Sequence, residues 1–224
     1  MDWGPLLLTF KLAIITTILL FFVSVPIAYG LAYSKGRLKP IFESLISLPL
    51  VLPPTVLGFY ILISFSPSSL VGEFLNNWLG LQLVFSFEGL VFASILYSLP
   101  FMVQPIQAGL SSLPQNLKHA SNLLGKSNFV TLFKVLLPNI KPSIITGIVL
   151  SFTHTIGEFG VVLMIGGNIP DKTKVASVAI FEEVESLNYE TAHYYSAILL
   201  FVTFTILVIT FTLNNRLQKN SSLW

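Results

Sequence analysis

Five stretches of the chain are almost wholly apolar, and each is long enough to cross the roughly 30 Å hydrocarbon layer of a bilayer as a helix, which takes about 20 residues. They fall near residues 8–33, 45–66, 88–110, 141–163 and 194–213. Residues 12–34 carry no charge over 23 positions. The core of a cleavable signal peptide is roughly 7 to 15 residues, so this run reads as a retained span. The intervening segments, 35–43, 67–87, 111–140 and 166–193, are marked by Pro, Gly or charge. The pattern predicts an all-α integral membrane protein with five transmembrane helices, forming a single membrane domain over residues 1–224. About ten residues follow the last run, so no appended cytoplasmic domain is expected.

Composition supports this reading. Of 224 residues 54% are hydrophobic and 10% charged, with a mean hydropathy of +0.81, whereas soluble domains carry roughly 25% charged residues. Cysteine is absent, which excludes disulfides, thiolate metal sites and cysteine nucleophiles. A net charge of +2 gives no reason to invoke nucleic acid. The distribution of charge is more informative, because Lys and Arg are retained on the cytoplasmic side. The first and third connections and the C-terminal tail hold Lys35, Arg37, Lys39, Lys118, Lys126, Lys134, Lys141, Arg216 and Lys219. The opposite side holds Lys172 and Lys174, and Lys11 sits early in the first span, where its stem can snorkel. The expected orientation is N-terminus outside and C-terminus inside.

Two segments depart from plain span chemistry. In "SLPLVLPPTVLGFY", Pro49, Pro53 and Pro54 each remove a backbone donor. In lipid such backbone is either buried by protein or lines a cavity, so a kinked packing helix and a helix lining a substrate path both remain open. The stretch "ASNLLGKS" at residues 120–127 fits a loose phosphate-loop pattern. No apolar strand precedes it, and the chain's two aspartates, Asp2 and Asp171, both fall on the outer side, away from any magnesium needed there. Helical spacing explains it better. Leu113, Leu117, Ala120 and Leu124 precede Gly125, and Phe129, Leu132, Phe133 and Leu136 follow it. Gly125 suits a turn with positive φ and Pro138 is expected to end the second helix. The result is a cytoplasmic elbow with one apolar face, for its own bundle or for a partner's groove.

The run "HASNLLGKSNFVTLFKVLLP" resembles the cytoplasmic coupling loop of ATP-binding-cassette importer permeases. That pattern is Glu-Ala-Ala, three residues, Gly, nine residues, an aliphatic, one residue, then Leu-Pro. His119, Ala120 and Ser121 stand at its first three positions, Gly125 follows at the right interval, and Val135, Leu137 and Pro138 complete it. Two positions differ: His119 replaces the glutamate and Ser121 the second alanine. Further segments, "LPLVLPPTVLGFYIL", "LVFSFEGLVFAS" and "TIGEFGVVLMIGGNIPDKTKVASVAIF", are similar to molybdate permease subunits. Sulfate permeases share the "GEFG" and "GNIP" layout. The resemblance implies a type I importer permease fold in the cytoplasmic membrane of a bacterium or archaeon. It also implies a pair of identical chains, ATPase subunits that hold ATP and magnesium, and an extracytoplasmic molybdate-binding protein. No cofactor is expected on this chain. Phe129 and Phe133 belong to the surface that would meet the ATPase.

Glu158 lies inside the fourth apolar run with His154 one turn before it, and an ionisable residue in a span is a functional hypothesis by default. At this spacing the two would share a helix face. A metal site lacks an obvious third ligand, and direct binding of an oxyanion by Glu158 is opposed by charge repulsion. A gate or structural hydrogen bond near the outer mouth is the preferred reading, against plain interhelical packing. The only arginines, Arg37 and Arg216, are placed at cytoplasmic ends. The path is therefore expected to be a weak conduit of Ser, Thr and backbone, with Pro53 and Pro54 beside it. In the outer segment, Val175, Val178, Phe181 and Val184 fall on one face and Glu182, Glu183 and Glu185 elsewhere. This describes either an amphipathic helix lying on the membrane or a docking surface for the binding protein. Gly166, Gly167 and Asn168 are expected to turn the chain back toward the external gate. No nucleophile elbow surrounds Ser151 or His154, so an enzyme is not expected. A self-sufficient secondary transporter, the rival of another class, usually carries several buried carboxylates or inverted repeats, and only Glu158 qualifies.

Overall fold

The computed structural model describes residues 2–221, and among these all regular structure is helical. The frame consists of α1 (Gly4–Tyr33), α5 (Phe87–Ser112) and α9 (Lys141–Ile156), which pack against one another along their lengths. With no charge in its middle and Pro5 in the first turn, α1 runs 30 residues, about 45 Å at the α-helical rise. Toward one end its Leu20, Ala28 and Leu31 close a core with Met102, Ile106 and Leu110 of α5. Toward the other end Leu12 packs with Leu90, Val161, Ile165 and Val178.

The second apolar run is not one helix. It divides into α2 (Lys39–Val51) and α3 (Pro54–Phe65), which meet at 111°. The cause is local: Pro53 and Pro54 supply no amide hydrogen, and each forces the residue before it out of the helical region. Leu52 and Pro53 accordingly sit at ψ 138° and 134°. The connection at residues 67–87 also carries a short helix, α4 (Leu70–Leu79).

Residues 111–140 fold into the expected elbow. Its first arm is α6 (Gln115–Leu123); the second comprises α7 (Asn128–Thr131), a π-helical turn (Leu132–Leu136) and α8 (Leu137–Asn139). Pro138 does not end this arm as expected. The widened turn, in which the Leu137 amide donates to the Leu132 carbonyl, opens the ladder just before Pro138, so its missing donor falls at the start of α8. The chain turns instead at Ile140 and enters α9 at 84° to the arm.

The fourth run also differs from a continuous span over 141–163. Helix α9 stops at Ile156, and after a break α10 (Gly160–Gly166) begins. Helices α11 (Ala176–Glu185) and α12 (Tyr189–Ser221) complete the chain. Among the described residues α1, α5 and α12 are each long and apolar enough to cross a membrane, and two bent helix pairs bring the possible number to five.

Candidate functional site

The two broken runs meet at their breaks. A Cβ on Gly160 would lie 2.9 Å from Cβ of Pro54, and one on Gly58 would lie 2.8 Å from Cβ of Met164. Helices α3 and α10 therefore pack with almost no side chain between them. Beside this contact lies an open cavity of about 470 Å³, lined by Pro54, Thr55, Tyr97, Thr153, His154 and Glu158 among others. None of its lining residues is Lys or Arg.

His154 is fixed from three sides. Its Nδ1 lies 3.0 Å from Ser98 Oγ, which also lies 3.1 Å from Thr155 Oγ1. Its ring stacks on Phe101, 4.0 Å between centroids, with Tyr97 at 4.7 Å. Glu158 does not stand one turn above it, as the spacing predicts, because the Gly157 amide closes the end of α9 on the Thr153 and His154 carbonyls. Beyond that end Glu158 is buried at 3% exposure, and neither carboxylate oxygen has a hydrogen-bond partner. The Ser94 hydroxyl stands beside it without hydrogen-bond geometry. A buried carboxyl with both oxygens unpaired costs about 1–3 kcal/mol, and packing alone gives no reason to keep one.

Gly166, Gly167 and Asn168 lie away from this cavity and form a clamp. Gly167 ends α10 at φ +67°, where a Cβ would lie 2.6 Å from the Phe85 ring. The Phe85 amide donates to the Ile165 carbonyl at 2.8 Å, and the Thr173 hydroxyl to that of Gly166 at 2.6 Å. Asn168 Nδ2 donates to Glu182 Oε2 at 3.1 Å, and Lys174 Nζ sits 2.6 Å from the same oxygen. The Lys174 ammonium, with help from the Asn168 amide, holds the Glu182 carboxyl below its ordinary pKa range. The expected apolar face of this segment divides: Val175 and Val178 are buried in the bundle, while Phe181 and Val184 remain exposed. The Phe181 ring meets Phe159 at 5.1 Å.

In the elbow, Gly125 adopts φ +71°. Its amide donates to the Asn122 carbonyl and that of Lys126 to the Ser121 carbonyl, the paired closure of a Schellman turn. Ser127 caps the second arm through Val130. The arms are tied by Ser121 Oγ and Thr131 Oγ1, 2.8 Å apart and both buried. The apolar surface is two faces rather than one. Leu132, Leu136 and Leu137 enter the core, whereas Leu123, Leu124, Phe129 and Phe133 point outward, with Phe129 71% exposed and its ring 4.6 Å from that of Phe133. His119, Ala120 and Pro138 are exposed and Val135 is half-buried. Lys118 anchors the first arm, its ammonium 5.0 Å and 4.1 Å from the ring centres of Tyr29 and Tyr33. The sequence reading missed the outward role of Leu123 and the partner of Ser121. Thr131 lies ten residues away, beyond the reach of helical periodicity. Among the described residues no three His, Asp or Glu side chains group to hold a metal.

Long apolar helices, two broken runs meeting at a cavity and an apolar elbow at one end define a multi-pass membrane component. The sequence matches the family described as the binding-protein-dependent transport system inner membrane component over residues 21–222, and the chain belongs to that family. It is 45% identical over 207 residues to the molybdenum transport system permease protein of Azotobacter vinelandii, covering 92% of this chain and 91% of the relative. It is 31% identical to the protein of that name in Escherichia coli, covering 83% and 81%. A probable sulfate transport system permease protein of Marchantia polymorpha is 32% identical, covering 89% and 69%. Two solved structures share the fold at low identity. A bacterial importer of the polysaccharide alginate gives a TM-score of 0.76 at 15% identity, covering 95% of this chain and 78% of that one. The inward-facing methionine ABC transporter gives 0.71 at 14%, covering 95% and 94%.

Proposed function

We infer that this chain is the permease subunit of an ATP-driven importer of molybdate. The observation that carries the coupling is the single-residue joint at Ile140. Through it the arm bearing exposed Phe129 and Phe133 passes directly into α9, which brings Thr153 and His154 to the cavity. A partner that grips the outward face of the elbow therefore has a rigid route to the cavity wall. The partner is an ATPase subunit that holds ATP and magnesium. Its closure supplies the difference in free energy between outward-open and inward-open states, without which no ligand shifts that equilibrium. His119, Ala120, Ser121, Gly125, Val135, Leu137 and Pro138 shape this docking unit; Pro53, Pro54, His154 and Glu158 shape the path.

Five crossings follow if α2 with α3 and α9 with α10 each make one span beside α1, α5 and α12, with the N-terminus outside and the C-terminus inside. Lys118 supports this arrangement, and Lys11 is the exception to it, placed at the outer interface. Lys118 gathers at the Tyr33 end of α1, while Lys11 lies over the ring of Phe87 at the start of α5. The chain works as one of two identical copies, and the cavity, with no Lys or Arg in its wall, is a weak conduit that leaves anion capture to an extracytoplasmic binding protein. Molybdate is favoured over sulfate by the 45% identity to a molybdenum permease against 32–35% for sulfate relatives.

The test is reconstitution of the chain in liposomes with its cognate ATPase and binding protein. Molybdate uptake should require internal ATP, exceed sulfate uptake, and fail in Phe129→Ser/Phe133→Ser. Uptake driven by an ion gradient without any ATPase would establish the secondary-transporter rival instead. Uptake of sulfate in preference to molybdate would correct the substrate alone.

A further inference from the structure

Helix α4 is an amphipathic element that neither the cavity nor the elbow uses. It is pinned to the end of α3. A Cβ on Gly72 would overlap the Ser66 carbonyl and lie 2.8 Å from the oxygen of Phe65. Ser69 Oγ accepts from the Gly72 amide at 3.0 Å and donates back to the Ser64 carbonyl at 2.6 Å. Gly80, at φ +63°, ends the helix. These contacts set which side is free. Gly72, Leu75 and Asn76 border a small cavity of about 140 Å³ against Phe65 and Leu83. Leu70, Phe74 and Trp78, one turn apart along a stripe, are 89%, 56% and 78% exposed. The Phe74 and Trp78 rings stack at 6.0 Å. Glu73 and Asn77 are exposed and border one edge of this stripe.

The tether identifies the partner. Five residue steps separate Phe65 from Leu70, a reach of at most about 17 Å. The chain must then return to α5, which starts on the same side of the bilayer as α3 ends. A helix so confined stays at the membrane surface, where Trp is concentrated and amphipathic helices sink about 5–10 Å into the headgroup and acyl boundary. A stripe of Leu, Phe and Trp with no charge matches that layer.

We propose that α4 lies flat in the lipid interface, with Leu70, Phe74 and Trp78 among the upper acyl chains. Through Gly72 it holds the end of α3, whose opposite end supplies Pro54 and Thr55 to the cavity. The leaflet is the outer one under the orientation inferred above, while the lipid contact holds for either orientation.

The experiment uses Trp3→Phe/Trp224→Phe, which leaves Trp78 as the only tryptophan, in nanodiscs containing phosphatidylcholine brominated at defined acyl positions. Fluorescence of Trp78 should be quenched roughly twofold more by bromine near the glycerol end than near the methyl end, as a shallow depth requires. It should also be shielded from aqueous acrylamide. If the double variant does not fold, the spectral difference between wild type and Trp78→Phe reports the same quantity. Free access of acrylamide with no lipid quenching would overturn the proposal. So would protection from both quenchers, which would place a second copy or another protein on this face. No ATPase or transport enters the readout, so its failure is distinguishable from failure of the importer reading.

Discussion

Replacing Ser121 by alanine installs the residue that importer permeases carry at that position, yet in this chain the change should weaken the elbow. The Ser121 hydroxyl is buried and its partner, Thr131 Oγ1, is equally buried 2.8 Å away. A typical hydrogen bond contributes about 1 kcal/mol net, and leaving one buried partner unsatisfied raises the cost to about 1–3 kcal/mol. A loss of about 1–2 kcal/mol changes an opening equilibrium roughly five- to thirty-fold. Hydrogen exchange should read that factor at the amides of Leu124, Gly125 and Lys126, whose acceptors close the first arm. Thr131→Val should cost a similar amount. The double variant, which removes both polar groups, should lie well below the sum, with a coupling of about 1 kcal/mol. Exchange in Ser121→Ala within about 1.5-fold of wild type, or strict additivity in the cycle, would refute the claim that this pair ties the arms.

Two further outcomes follow from the geometry. At Gly125 the space that a Cβ would enter is open, with no neighbouring atom within 4 Å, and the strain is that of φ +71° alone, so Gly125→Ala should cost about 1–2 kcal/mol and weaken ATPase co-purification. Gly125→Pro, which also removes the donor to Asn122, should abolish it. At the outer clamp, the lowered folded-state pKa of Glu182 means that its contribution is complete above the unfolded value of 4.5 and is lost as pH falls through the folded one. Proteolytic nicking at residues 167–175 should therefore stay flat from about pH 8 to pH 5 and rise only in stronger acid. In Glu182→Gln that acid-dependent rise should be gone.

Much of this architecture was legible because it rests on local rules. The apolar runs, the turn at Gly125 and the disturbance at Pro53 and Pro54 each follow from periodicity or from a missing amide hydrogen. What escaped was set by irregular local turns or by contacts across the fold. The break at Gly157 separates Glu158 from His154, although their spacing suits a continuous helix. Pro138 continues its arm because a widened turn absorbs its lack of a donor. The segment around Asn168 closes on Glu182, fourteen residues away, which no short-range pattern announces. Helix α4 was available in principle: Ser69 before Leu70, apolar residues at 70, 71, 74, 75, 78 and 79, and Gly80 at the end are start and stop signals.

The joint at Ile140 makes the second arm and α9 a bell crank. Residues 128–139 form one limb and the 16 residues of α9 the other, about 18 Å and 24 Å long. With the corner rigid, a displacement of about 3 Å at Phe129 arrives at the far end of α9 as about 4 Å, turned through the 84° of the bend. With the arm along the membrane surface, motion of Phe129 along the membrane normal would thereby become motion of the far end of α9 across the bundle, with a small gain in travel and a matching loss in force.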